Sequence, residues 1–170
     1  MRGLIIRNII RFIVLLFIQV FVLNNIYLGG YINPVLYTLF ILMLPNRIGK
    51  IYMLLISFAM GLSVDMCSNM LGFHTCASTV VAFCRITFAD RIITRGDDIS
   101  IDMPSIFTVA PQYFIYYSGL LIFIHSFIFF TLDYFNFSDI FNIILSSILT
   151  TIVTLILVIM WQLIFIHRKR

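Results

Sequence analysis

The chain has 170 residues, 62% of them hydrophobic and 11% charged, against roughly 45–50% and about 25% in soluble domains. Its mean hydropathy is +1.09. A soluble fold of this length has no interior large enough for so much apolar surface, so the composition excludes intrinsic disorder, a disulfide-rich secreted scaffold and a nucleic-acid-binding domain. The net charge of +4 informs through its placement along the chain. At about 20 residues per spanning helix, the length admits at most about six helices with tight loops. The expectation is an all-α polytopic membrane protein, a single integral membrane domain over 1–170.

Arg2, Arg7 and Arg11 precede an apolar run from Phe12 to Leu23, a pattern similar to a secretory signal. The run ends in Asn24, Asn25, Ile26 and Tyr27, without a small-x-small cleavage site. It reads as an uncleaved first helix over about 9–27. Further apolar segments follow at about 34–44, 51–65, 74–89, 111–132 and 140–166.

The basic residues test this division. Arg2, Arg7 and Arg11 lie at the amino end, Arg47 and Lys50 between the second and third segments, and Arg85, Arg91 and Arg95 at or after the end of the fourth. Arg168, Lys169 and Arg170 close the chain, completing all 11. The connections 24–33, 66–73 and 133–139 hold none. Cytoplasmic loops are the ones enriched in Lys and Arg, so six crossings with both termini in the cytoplasm account for every basic residue.

The segments are unequal. Asn33 and Pro34 read as an N-cap and a first-turn proline, and Pro45 marks the other end. Eleven helical residues cover about 16 Å of a roughly 30 Å hydrocarbon core. The third and fourth segments are also short. Non-helical backbone at membrane depth is tolerated only inside protein or beside a water-filled cavity. Short inner helices 2–4 packed among longer 1, 5 and 6 are therefore expected, with a re-entrant second segment as the alternative.

Polar residues within the apolar chain are few. Ser57, Gly61 and Asp65 fall at i, i+4 and i+8 on one helical face, and Ala59 and Ser63 form a neighbouring small pair. Ala77, Ser78 and Ala82 supply small positions on the next segment. Small residues let helix backbones approach closely, so the third and fourth segments read as a tight hairpin turning at about 69–72. An ionisable residue near the hydrocarbon is a functional hypothesis with a partner to be named. For Asp65 the partner is His74 or the turn amides. Capping and turn-locking is the first reading, contact with a partner or ligand the second, and proton relay or metal binding the third. One Asp and one His nine residues apart is not a zinc pattern.

His125 falls within the fifth segment, where it can face Asp65 and His74, and Gln19 reads as a similar interhelical polar group. Ser147, Thr150, Thr151 and Thr154 form a hydroxyl stripe, either at a helix contact or bonded to their own backbone. Trp161 and Gln162 fit an interfacial anchor. Between Asp90 and Ala110, Ile99, Ile101 and Met103 alternate with Ser100 and Asp102, either as a loop or as a strand able to join a partner's sheet edge. Cys67, Cys76 and Cys84 suggest no disulfide framework. Glutamate is absent, no phosphate loop, nucleophile elbow or metalloprotease motif occurs, and no internal repeat supports an inverted-repeat transporter.

Taken in order, Gln19 to Asn25, Pro34, Leu44-Pro45, the pattern Gly61, Asp65, Ser68, Asn69, Gly72, His74, and then Ile124-His125 resemble the bacterial rod shape-determining MreD family, in its Bacteroidetes-like form. The resemblance covers nearly the whole chain. Leu71 departs from it, standing where the family pattern leads one to expect proline. The resemblance implies a non-enzymatic, cofactor-free subunit of the elongation machinery in the inner membrane. Such a subunit supports rod shape and lateral peptidoglycan synthesis. Its implied partners are MreC, RodA with its class B penicillin-binding protein, membrane lipids and, indirectly, the MreB filament, with no nucleic acid. It also implies a fold similar to the S components of energy-coupling-factor transporters. Gly61, Asp65, Ser68, Asn69, Gly72, His74 and His125 would form the partner-binding or structural motif, and Ser57, Ala59, Ser63, Ala77 and Ser78 the helix packing. A vitamin-type S component is the alternative function, although the first segment lacks the Ala-x-x-x-Ala docking pattern that resemblance would require. A membrane-embedded enzyme ranks third.

Overall fold

A computed structural model describes residues 2–26, 30–46, 48–93, 104–135 and 139–165, with the side chains of 2–4 and 88–93 left aside. Arg47, Arg95 and the charged, alternating stretch 97–103 lie outside the described residues, as do the basic residues at 168–170. The described chain is helical: α1 (Arg2–Phe21), α2 (Thr38–Leu42), α3 (Lys50–Ser68), α4 (Phe73–Ile93), α5 (Pro111–Tyr134) and α6 (Ile140–Phe165). Four stretches, Ile5–Asn25, α3, α5 and α6, are long and apolar enough to cross a membrane.

The helices α3, α4, α5 and α6 pack in chain order, each on the next, and α1 packs on α3. They surround the second apolar segment, in which every residue from 34 to 45 is buried. Of this inner segment only Thr38–Leu42 is helical. Its start lies beside Gln19 of α1, and its end shares a groove with Ile5 and Asn8. It therefore passes α1 from one end toward the other in a single direction instead of doubling back, which disfavours the re-entrant course.

The reading of three short inner helices holds for the second segment alone. α3 and α4 run to 19 and 21 residues, about 28 and 31 Å at 1.5 Å per residue. α3 also presents Ile51, Tyr52, Leu55, Phe58, Leu62 and Met66 outward, so it is a wall of the array and not a sheltered element. α4 extends beyond the expected segment of about 74–89, although His74, Thr75, Ser78 and Arg85 lie along it. All four are buried, and the helix continues because they face protein. α1 ends earlier than expected, since the Asn25 side-chain amide donates to the carbonyls of Val20 and Phe21 and closes the helix there.

The long helices place polar residues inside and aliphatic ones outside. In α6, Ser146, Ser147, Thr150, Thr154 and Gln162 are buried, whereas Ile144, Ile148, Ile152, Ile156 and Met160 are exposed. In α1 and the turn that follows it, the buried stripe is Leu15, Gln19 and Leu23, at i, i+4 and i+8. Lipid is as apolar as leucine and drives no burial of aliphatic faces. The interior is thus free to be chosen for hydrogen bonding.

Candidate functional site

Backbone that is not helical must find partners, because an unmet buried N–H or C=O costs several kcal/mol in hydrocarbon. The inner segment finds them in side chains of the surrounding helices. The Asn33 and Val35 amides donate to the hydroxyls of Thr150 and Thr154, each at 3.1 Å. Gln19 donates from Nε2 to the Pro34 carbonyl at 2.8 Å and accepts from the Tyr37 amide at 3.3 Å. The expected N-cap at Asn33 and helix start at Pro34 are therefore displaced to Thr38: these tertiary contacts satisfy the amides that a cap would have served. Thr150 and Thr154 answer one half of the hydroxyl-stripe question, while Ser147 and Thr151 bond the carbonyls of Ile143 and Ser147 in their own helix.

Arg85 serves the other end of the inner segment. It is fully buried, and its guanidinium donates to the Leu44 carbonyl, to Asn46 Oδ1 at 3.0 Å, to the Tyr117 hydroxyl at 2.8 Å and to Met53 Sδ at 3.0 Å. The C-terminal carbonyls of a short helix carry partial negative charge. Arg85, with the Tyr117 hydroxyl directed at the Leu42 carbonyl, covers that end. This corrects the place of Arg85 among the loop cations. The signal available in the sequence was an arginine inside an apolar run. Gln162 is corrected likewise: it is buried, accepts from the Ile106 amide and donates toward Met43 Sδ, so it is not an interfacial anchor.

The hairpin of α3 and α4 forms around Gly61. A Cβ at Gly61 would stand 2.6 Å from the His74 carbonyl oxygen and 2.6 Å from the Thr75 Cα, inside any permitted contact, so only glycine lets the two backbones meet there. One turn later the Asp65 carboxylate accepts from the His74 amide at 3.1 Å and from the Thr75 amide and hydroxyl at 2.7 and 2.5 Å. A carboxylate on the exposed amides of a helix start is favoured by hydrogen bonding and by the helix dipole together. The turn closes with Asn69 in the left-handed region at φ 53° and Gly72 at φ 92°. Leu71, the departure from the family pattern, is almost fully exposed. Ser57, Ala77 and Ser78 are buried as the packing reading expects. Ala59 is exposed, and Ser63 bonds the Ala59 carbonyl of its own helix, so this pair takes no part in the α3–α4 contact.

Asp65 and His74 do meet, but through the His74 amide and not the imidazole. The ring belongs to a different cluster centred on Tyr37, a residue that sequence reading missed. The Tyr37 hydroxyl lies 3.0 Å from His74 Nδ1, 2.5 Å from His125 Nε2 and 3.3 Å from Ser78 Oγ. All four residues are buried. The hint in the sequence was the polar pair Tyr37 and Thr38 in an otherwise apolar second segment.

Above this cluster, at the end of the molecule carrying Asn24 and Asn69, is a cavity of about 440 Å³. Asn24, Asn25, Asn33, Ser68, Asn69 and Cys67 line it, together with Val20, Leu23, Ile26, Ile32 and Met70, and His74 reaches it from below. Gln19 donates to Asn24 Oδ1, and Asn24 donates to Ser68 Oγ, both within 2.8 Å, so α1 and α3 are tied along its rim. Among the described residues no three His, Cys, Asp or Glu side chains gather as a metal site would need. Compared with protein-family models, curated proteins and solved structures, the chain matches none.

Proposed function

We propose that the protein is a non-enzymatic subunit of the bacterial elongation machinery, an MreD-like membrane protein that supports lateral peptidoglycan synthesis and rod shape by binding MreC. Through MreC it would act with RodA, its class B penicillin-binding protein and, indirectly, the MreB filament. The observation that carries this reading is the use made of the family-like pattern. Gly61, Asp65, Asn69 and Gly72 serve the packing, capping and turning of one hairpin, and Gln19, Arg85, Tyr117, Thr150 and Thr154 serve the backbone of the inner segment. Long exposed aliphatic helix faces suit lateral binding of other membrane helices.

The proposed placement is the inner membrane, with six crossings and both termini in the cytoplasm. Arg7, Arg11, Arg47, Lys50, Arg91, Arg95 and the terminal basic cluster then all face the cytoplasm, as the charge rule requires. Arg85 leaves that tally without disturbing it. An S-component-like arrangement is part of the same proposal, supported by the sheltered inner segment. Depletion of the protein in its host is expected to round the cells, and a tagged copy is expected to recover MreC from solubilised membranes. Unchanged cell shape together with no MreC recovery overturns the proposal.

A further inference from the structure

The 440 Å³ cavity at the Asn24–Asn69 end has the size of a small-molecule site, commonly roughly 300–1,000 Å³. Among the described residues, no ionised side chain lines it. The polar side chains among the described lining residues are amides, one hydroxyl, one thiol and one imidazole. Some of these groups are already committed: Asn24 bridges Gln19 and Ser68, and the Asn25 amide nitrogen caps α1. The side chains of Asn33 and Asn69 make no hydrogen bond among the described residues.

His74 is 1% exposed and lines the cavity with Nδ1 committed to Tyr37. Nε2 makes no hydrogen bond among the described residues and is free to meet a ligand in the cavity. The Tyr37 hydroxyl has one proton to give and two imidazoles to serve. Given to His125 Nε2, it leaves His74 protonated at Nδ1, with Nε2 an acceptor. Given to His74 Nδ1, it leaves Nε2 of both rings protonated, and His74 then offers a donor to the cavity. The site thus presents either polarity at its floor, and its amide wall presents both at once. A hydroxyl or an amide, each able to donate and accept, is served in either state. An ammonium or a carboxylate would fit only one state and would find no opposite charge.

We infer that this cavity is a binding site for an uncharged ligand rich in hydroxyl and amide groups, such as an N-acetylated sugar, with His74 Nε2 and the Asn33 and Asn69 amides as its polar contacts. The inference goes beyond partner binding, and MreC capture is measured separately, so either can fail alone.

The native Cys67 lines the cavity and is exposed, which makes it the reporter. In full-length protein carrying Cys76→Ala and Cys84→Ala, the rate of Cys67 alkylation by a polar maleimide is followed against chitobiose, an uncharged N-acetylated disaccharide. Saturable protection is expected, about tenfold at ten times the dissociation constant by mass action. Cationic glucosamine and anionic glucose 6-phosphate should protect little. Asn33→Leu, which replaces a wall amide by an aliphatic side chain without touching the hairpin, should abolish protection while leaving the ligand-free rate near its original value. His74→Phe should do the same. Absence of saturable protection, equal protection by the charged sugars, or protection that survives Asn33→Leu overturns the inference.

Discussion

At Gly61 and at Arg85 a single residue type is demanded by its surroundings, for opposite reasons. At Gly61 the demand is for absence of a side chain, since the obstructing atoms are backbone atoms of His74 and Thr75 that no rotamer change can move. Gly61→Ala is expected to separate α3 from α4 and to cost about 1–3 kcal/mol, in the range of overpacked cores, read as an earlier midpoint in SDS titration from mixed micelles. An unchanged midpoint would mean the helices do not meet there. At Arg85 the demand is for several donors spread over a plane. Arg85→Met removes the guanidinium donor from the buried Leu44 carbonyl, and about 1–3 kcal/mol is expected to be lost in the same titration. Arg85→Lys should recover only part of this, because one ammonium cannot reproduce the guanidinium fork. Full recovery by lysine would show that charge alone matters.

Among the elements, α2 and its flanks pose the central physical problem, a buried segment with only 5 helical residues. α6 resolves it in a way that separates its hydroxyls into two kinds. Thr150 and Thr154 receive amides of the inner segment, whereas Thr151 merely returns to the Ser147 carbonyl of its own helix. Thr154→Val is therefore expected to destabilise the protein by about 1 kcal/mol, the scale of interhelical hydrogen bonds in membranes. Thr151→Val should be nearly neutral, since its partner carbonyl already belongs to the helical ladder. Equal effects of the two substitutions in unfolding titrations would contradict this division. The turn linking α3 to α4 is a second element whose form follows from its residues: Asn69 tolerates the left-handed conformation, and Gly72, having no Cβ, adopts its positive φ without steric cost.

For the whole molecule, the arrangement is a row of amphipathic helices turned with their polar faces inward around one buried strand of chain. Its proposed orientation makes a direct prediction. In intact cells an impermeant maleimide should label native Cys67, which is exposed at the hairpin end. A Ser100→Cys variant lacking the native cysteines should react only after the membrane is opened. Labelling of both from outside would refute six crossings with cytoplasmic termini.

The membrane class and the existence of the hairpin were legible in the sequence. Composition alone excludes a soluble core, and the spacing of Ser57, Gly61 and Asp65 puts them on one face whatever surrounds the helix. The small and capping roles at Gly61 and Asp65 follow from residue chemistry and helical period, which are local. What only the tertiary structure decided was the assignment of partners: Tyr37 between two histidines, Arg85 at the end of a helix remote in the chain, and Thr154 on the amide of Val35. The pairs are 41 residues apart for Arg85 and Leu44 and 119 for Thr154 and Val35. No local pattern encodes such separations. The physical reason is that within a bilayer aliphatic faces pack on lipid as readily as on protein, so hydropathy marks which segments enter the membrane without marking which way they face. Their facing is settled by the buried segment 34–45, whose amides and carbonyls outside the helix select the few side chains able to reach them.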